Sequence, residues 1–157
     1  MEPSQDLVGT VLGTGKMPIE AGKVREFARS LQDDNPIYRD EEAAKAAGFS
    51  AIPAPPTFTV VAAHFSEGES GIMALGLDLA RVLHGEQEWT YHRTPVVGDV
   101  LSSTTKVVSV EQKPGKRGGV MTMIKMETAW VDQKGEPVVT EASTVIETAQ
   151  VVGGGEK

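Results

Sequence analysis

Ala54-Pro-Pro-Thr-Phe-Thr-Val-Val-Ala-Ala-His-Phe65 is the stretch on which the reading of this chain turns. From Thr57 to Phe65 it is apolar almost all round, so other elements must cover it. Periodicity alone does not separate a buried helix from a buried strand. Entry directly through Pro55-Pro56 favours the helix, because proline is preset for a first helical turn and excluded from a helix interior.

On the amino-terminal side, Val24, Phe27, Ala28 and Leu31 recur at i, i+3, i+4 and i+7, which predicts an amphipathic helix over Glu20–Leu31. It should stop before Asp33-Asp34-Asn35-Pro36, since the residue before a proline disfavours the helical region. Asp40 reads as the N-cap of a short helix, Glu41 to Ala47, ended by Gly48. On the carboxy-terminal side the period changes to two. Strands are expected over Leu83–Arg93, Val100–Val110, Val120–Trp130 and Val138–Thr148, with a further short strand over Thr10–Met17. In the third of these, Val120, Thr122, Ile124, Met126, Thr128 and Trp130 share one face. Helices segregated from an antiparallel meander make an α+β domain. The order strand, helical section, four strands is that of the hot-dog fold, a sheet wrapped around a central helix, here Thr57–Phe65.

Composition narrows the function. The chain has 157 residues with a net charge of −7, which fits one domain, residues 1–157, and argues against a nucleic-acid partner. Residues 1–6 and 152–157 read as loose ends. There is no cysteine, so thiolate zinc sites, disulfides and a catalytic thiol are excluded, and three scattered histidines form no metal-ligand cluster. No apolar run approaches the ~18 residues needed to span a bilayer, and the acidic amino end lacks a basic n-region. The expectation is a cytoplasmic protein without membrane, metal or cofactor. Gly9 to Lys16 fails as a phosphate loop, with Thr10 where glycine is required and Met17 where Ser or Thr would hold magnesium.

Three stretches carry a resemblance: FARSLQDDNPIYRDEEAAKAAGF, APPTF, and HGEQEWTYHRTPVVGD. They resemble the MaoC-like family of (R)-specific enoyl-thioester hydratases and dehydratases. More closely, they resemble its branch with the non-catalytic-type subunits of the mycobacterial (3R)-hydroxyacyl-ACP dehydratase. The likeness runs from about Val8 to Ala149, its most specific parts being Asp33-x-Asn35-Pro36-Ile37-Tyr38 and Tyr91-His92-Arg93-x-Pro95-x-x-Gly98-Asp99. The resemblance implies a hot-dog dimer, homo- or heteromeric, with an acyl tunnel beside the central helix and an acyl-CoA or acyl-ACP thioester as substrate. It further implies an Asp-x-Asn-Pro-x-His loop whose Asp and His manage the water at C3 and the proton at C2. A backbone N–H at the start of the central helix would stabilise the thioester oxygen, as unpaired helix N–H donors suit a developing anion.

Two departures matter. Tyr38 stands where the family has histidine, and a phenol with a reference pKa of ~10 is a poor base at neutral pH. Pro55-Pro56-Thr57-Phe58 stands where the active enzymes usually offer glycine, so an oxyanion donor must come from Thr57 or Phe58. The candidate set is therefore Asp33 and Tyr38 at the catalytic positions, Asn35, Thr57 and Phe58 against substrate, and His84 as a relocated base. Strand alternation puts His84, Glu86, Glu88, Thr90 and His92 on one face, where His84 and Glu86 make either an orienting pair or a polar surface. Read without the resemblance, Asp33 and Asn35 are Asx residues of a helix-stop turn, and His64 is a helix histidine. Lys113, Lys116 and Arg117 are a solvated turn before they are a phosphate site. The expected activity is reversible loss of water from a (3R)-hydroxyacyl thioester, with this chain building the tunnel and a second hot-dog subunit supplying the Asp/His pair. The alternatives are a self-sufficient hydratase using Asp33 with His84, and an acyl-thioester-binding module without chemistry. A hot-dog thioesterase ranks below both.

Overall fold

The computed structural model describes residues 5–65, 71, 73–115 and 118–150. The expected loose ends therefore fall largely outside the described residues, as do Lys116 and Arg117. Gln5 and Asp6, expected in the loose amino end, lie in a 3-10 turn, Gln5–Leu7.

Strand β1 (Val11–Pro18) leads into helix α1 (Ala21–Ser30) and helix α2 (Glu41–Ala46). After the central segment come β2 (Val82–Tyr91), β3 (Val100–Pro114), β4 (Val120–Val131) and β5 (Pro137–Glu147). All five strands form one antiparallel sheet in the order β1-β3-β4-β5-β2. This is the hot-dog arrangement expected from the alternation of helical and two-residue periods.

Both helix ends close through the same device. Gln32 adopts a left-handed φ of 58°, and Gln32 N–H and Asp33 N–H donate to the Arg29 and Ala28 carbonyls. This Schellman closure ends α1 one step before the Asx-Pro run and fixes the direction in which Asp33 leaves. Gly48, at φ 91°, ends α2 with Phe49 N–H bonded to Ala44, while the Asp40 carboxylate caps the other end by accepting from Ala43 N–H at 2.8 Å.

The central segment is helical, as the proline entry predicts, but it is a 3-10 helix, Phe58–His64. Thr57 enters it at φ 65°, and Val60 N–H bonds back three residues to the Thr57 carbonyl. Three residues per turn sort the side chains. Phe58, Thr59 and Val61 are buried at 1%, 4% and 4% exposure, whereas Val60 stays 51% exposed. The expectation of an element covered all round is corrected here: one flank is bare in the single chain. The ring of Phe58 meets that of Phe27 on α1 edge to face at 5.4 Å, seating the helix between α1 and the sheet.

The inner face of the sheet has two apolar clusters. One gathers Met17, Val24, Phe58, Leu101, Trp130 and Val139, and the other Leu75, Val107, Ile124, Met126 and Val145. Of the six residues expected to share one face of β4, Val120 at the strand's first position is 54% exposed, whereas Thr122, Ile124, Met126 and Trp130 are buried. Between the clusters a row of different character crosses the strands: Thr105 opposite Thr128, Thr128 opposite Glu141, Glu141 opposite Trp89. The two threonine hydroxyls bond each other at 2.8 Å.

Because Phe58 fills the first cluster, Phe58→Ala is expected to cost about 3–5 kcal/mol. Urea denaturation would read this as a lower midpoint at unchanged slope.

Candidate functional site

The Asp33–Tyr38 loop is built from its own side chains. Asp33 Oδ1 accepts from Asn35 N–H at 3.0 Å, and Asn35 Oδ1 accepts from Ile37 N–H at 3.2 Å. These are consecutive Asx turns, and the second caps the 3-10 turn Pro36–Tyr38. Asp33 and Asn35 remain exposed, while Tyr38 turns inward to 9% exposure in the same apolar cluster as Phe58. Burial, and then the charge of nearby Asp33, hold the Tyr38 phenol above its ordinary pKa. Asp33 thus lies near enough for its charge to favour the neutral form of the Tyr38 phenol, the lesser cause after burial.

At the mouth of the 3-10 helix the two candidate N–H donors are engaged. Thr57 N–H donates to the Tyr91 hydroxyl at 2.9 Å, and Phe58 N–H closes a turn onto the Pro55 carbonyl at 3.1 Å. Thr57 carries the positive φ that glycine adopts without cost. Tyr91, 43% exposed and contributed by the edge strand β2, was not singled out as a site residue. Only its place in the Tyr91-His92-Arg93 run hinted at it.

His84 is exposed on β2, and the expected run of five residues on one strand face does not form. The register of β2 against β5 shifts between His84 and Glu86. The bulge contains Gly85, whose added Cβ would lie 2.8 Å from Ile146 Cδ1. It rotates His84 away from Glu86 and onto Gln87, with Nε2 3.2 Å from Gln87 Oε1. Gln87 in turn donates to Glu141, a carboxylate beneath the 3-10 helix that the sequence reading passed over.

The Arg93–Asp99 motif is a structural tie. Arg93 forks onto Asp99 at 2.6 and 3.0 Å and reaches Asp132 at 3.1 Å. Asp132 organises the β4–β5 turn by accepting from Lys134 and Glu136 N–H. A cleft of about 470 Å³ lies over this tie, lined among others by Ser50, Thr94, Gln133 and Lys134, and none of the candidate catalytic residues borders it. Lys113 pairs with Glu111 at 2.9 Å. Among the described residues, no group of three or more His, Asp or Glu side chains is placed to hold a metal ion, and no helix is long and apolar enough to cross a membrane.

This constellation belongs to a known class. The family described as the FAS1-like dehydratase domain region matches residues 6–141, and the chain belongs to it. The UPF0336 protein of Saccharopolyspora erythraea is 42% identical over 127 residues, covering 79% of this chain and 77% of that protein. That of Leifsonia xyli subsp. xyli is 41% identical over 127 residues, covering 79% and 80%. A solved MaoC-like dehydratase shares 28% identity at a TM-score of 0.79, over 92% of this chain and 43% of that one. The Mycobacterium tuberculosis HadBC complex, a (3R)-hydroxyacyl-ACP dehydratase, matches at 22% identity and a TM-score of 0.71, over 90% and 97%. The ChsH1–ChsH2 complex from the same organism matches at 21% and 0.75, over 91% and 88%. The resemblance read from the three sequence stretches is borne out, and the fold is that of the MaoC-like dehydratases.

Because its pKa is raised, the phenol's contribution to stability is present below pH 10.0 and is lost as pH climbs through the folded value. In a Tyr91→Phe variant, which leaves Tyr38 as the sole tyrosine, phenolate absorbance is expected to rise only above that pH. An onset near neutrality would make Tyr38 a competent base.

Proposed function

We propose that this chain is a subunit of a MaoC-like (3R)-hydroxyacyl-thioester dehydratase, running as an enoyl-thioester hydratase in reverse. It builds the acyl tunnel of a cytoplasmic heteromer, and a second hot-dog subunit supplies the complete Asp/His pair. In dehydration a base takes the C2 proton, the thioester oxygen carries the transient charge, and an acid of the Asp/His pair protonates the C3 hydroxyl so that it leaves as water. Coenzyme A or an acyl carrier protein bears the acyl group, and no cofactor enters.

One observation carries the reading. The Asp-x-Asn-Pro loop is kept with its turns, but the position of the base holds a buried phenol kept neutral by its surroundings. A group in that state cannot take a proton at neutral pH. The bare flank of the central helix at Val60, with exposed Leu83 and Tyr91 on β2, fits a covering partner. Among the described residues β2 is hydrogen-bonded to a strand on one side only, which leaves an edge for that partner's sheet.

A second reading has its own support. His84 is exposed and hydrogen-bonded through Gln87 to Glu141, an arrangement that orients an imidazole. In this reading the chain hydrates by itself with Asp33 and His84.

Crotonyl-CoA hydration separates the two. The purified chain is expected to show a rate near background. Combination with a hot-dog subunit bearing an intact Asp-x-Asn-Pro-x-His should restore activity, and Tyr38→Phe should leave that activity within about twofold, since the phenol transfers no proton. Ordinary enzymatic rates from the chain alone, abolished by His84→Ala without loss of fold, would establish the second reading instead.

A further inference from the structure

Five side chains from four elements meet between the sheet and the 3-10 helix. Glu141 on β5 accepts from Trp130 Nε1 at 2.6 Å and from Gln87 Nε2 at 3.2 Å, and it bonds the Thr59 hydroxyl. Thr59, buried at 4% exposure on the helix, accepts from Trp89 Nε1 at 3.0 Å. An indole N–H can only donate, so the Thr59 hydroxyl hydrogen is left for the carboxylate. The same logic runs outward. Gln87 turns its amide nitrogen to Glu141, so its carbonyl faces His84, and His84 Nε2 must carry the hydrogen. In the neutral ring that leaves Nδ1 as the acceptor.

The cluster is a poor investment in stability alone. Burial pushes the Glu141 carboxyl up, against the opposing pull of its Thr59 and Trp130 bonds. The groups facing it are Thr59 from the helix, Trp130 and Thr128 from β4, and Gln87 and Trp89 from β2, with His84 beyond Gln87. Among the described residues no lysine or arginine pairs with it. A carboxylate kept beneath a helix without a cation, where an apolar side chain would pack, points to a role in the site above it.

We infer that Glu141 is a positioning residue for the acyl-thioester site: through Thr59 it fixes the first turn of the central helix, and through Gln87 it orients His84. This deepens the proposed function and rests on its acyl-thioester reading. Thr57, whose N–H opens the helix, lies two residues before the anchored Thr59, so loss of the anchor frees the helix mouth to roll. The linkage sign is set by the raised value. The stability contribution of Glu141 is present below pH 4.5 and is lost as pH rises through the folded value.

The chain's only two tryptophans are both bonded into this cluster, so their emission reads it directly. The experiment compares the full chain with Glu141→Gln and Thr59→Val. Wild type is expected to show an emission step with pH above the ordinary glutamate range, absent in Glu141→Gln. The denaturation midpoint of Glu141→Gln at neutral pH should equal or exceed wild type. Amide hydrogen exchange over residues 57–61 should quicken in both variants. Affinity for crotonyl-CoA, measured on the chain or its heteromer, should fall roughly tenfold, about the worth of one charge-assisted hydrogen bond. Unchanged exchange and emission in Glu141→Gln would overturn the inference, as would an affinity loss that merely tracks loss of fold. If wild type binds no acyl thioester, the functional reading fails, while exchange and emission still decide whether Glu141 anchors the helix.

Discussion

The contact between the 3-10 helix and the inner face of the sheet organises everything else in this molecule. A helix seated this deep offers no water to its inner side chains, so each must find either apolar packing or a hydrogen-bond partner. Phe58 and Val61 take the first course against Phe27 and the sheet. Thr59 takes the second, between Trp89 and Glu141. The mixture is what allows one short helix to be both anchored and aimed.

That mixture also divides the sheet. Thr105, Thr128 and Glu141 lie on neighbouring strands in a single cross-strand row, with an apolar cluster on either side. A continuous hydrocarbon face would pack against any apolar covering element with little preference for orientation. A row with directional donors and acceptors does not, because a mismatched helix would leave indole and carboxylate groups unpaired. The Arg93 fork onto Asp99 and Asp132 does comparable work outside the core, joining the end of β2 to the β4–β5 turn. Within the second of the two resemblance motifs, Arg93 and Asp99 act as scaffolding, while Tyr91 reaches the helix mouth at Thr57.

The loop that the sequence resemblance singles out keeps its backbone turns around a buried Tyr38. The loop keeps its Asx turns without histidine, since those turns use Asp33 and Asn35 against backbone and do not involve residue 38. The turns of this loop are made by Asp33 and Asn35, and the residue 38 side chain is not part of them.

Much of this was legible in the residues. The apolar run behind Pro55-Pro56, the stripe of α1, the Asp40 cap, Gly48 and the period-two back half depend on local rules, and local rules are written in sequence. The Asp-x-Asn-Pro loop was legible too, because Asx turns close within a few residues. What tertiary structure decided was every partnership between distant segments. The bulge at Gly85 turned His84 from Glu86 to Gln87, a register effect visible only once β5 lies alongside. The central segment took a 3-10 form entered through Thr57 at positive φ, with Val60 left exposed. Tyr91 reached Thr57 across the fold, and Glu141, in sequence one polar residue among alternating ones, became the half-buried hub. A carboxylate's meaning depends on the dielectric and the donors around it, and those are properties of a place in the fold.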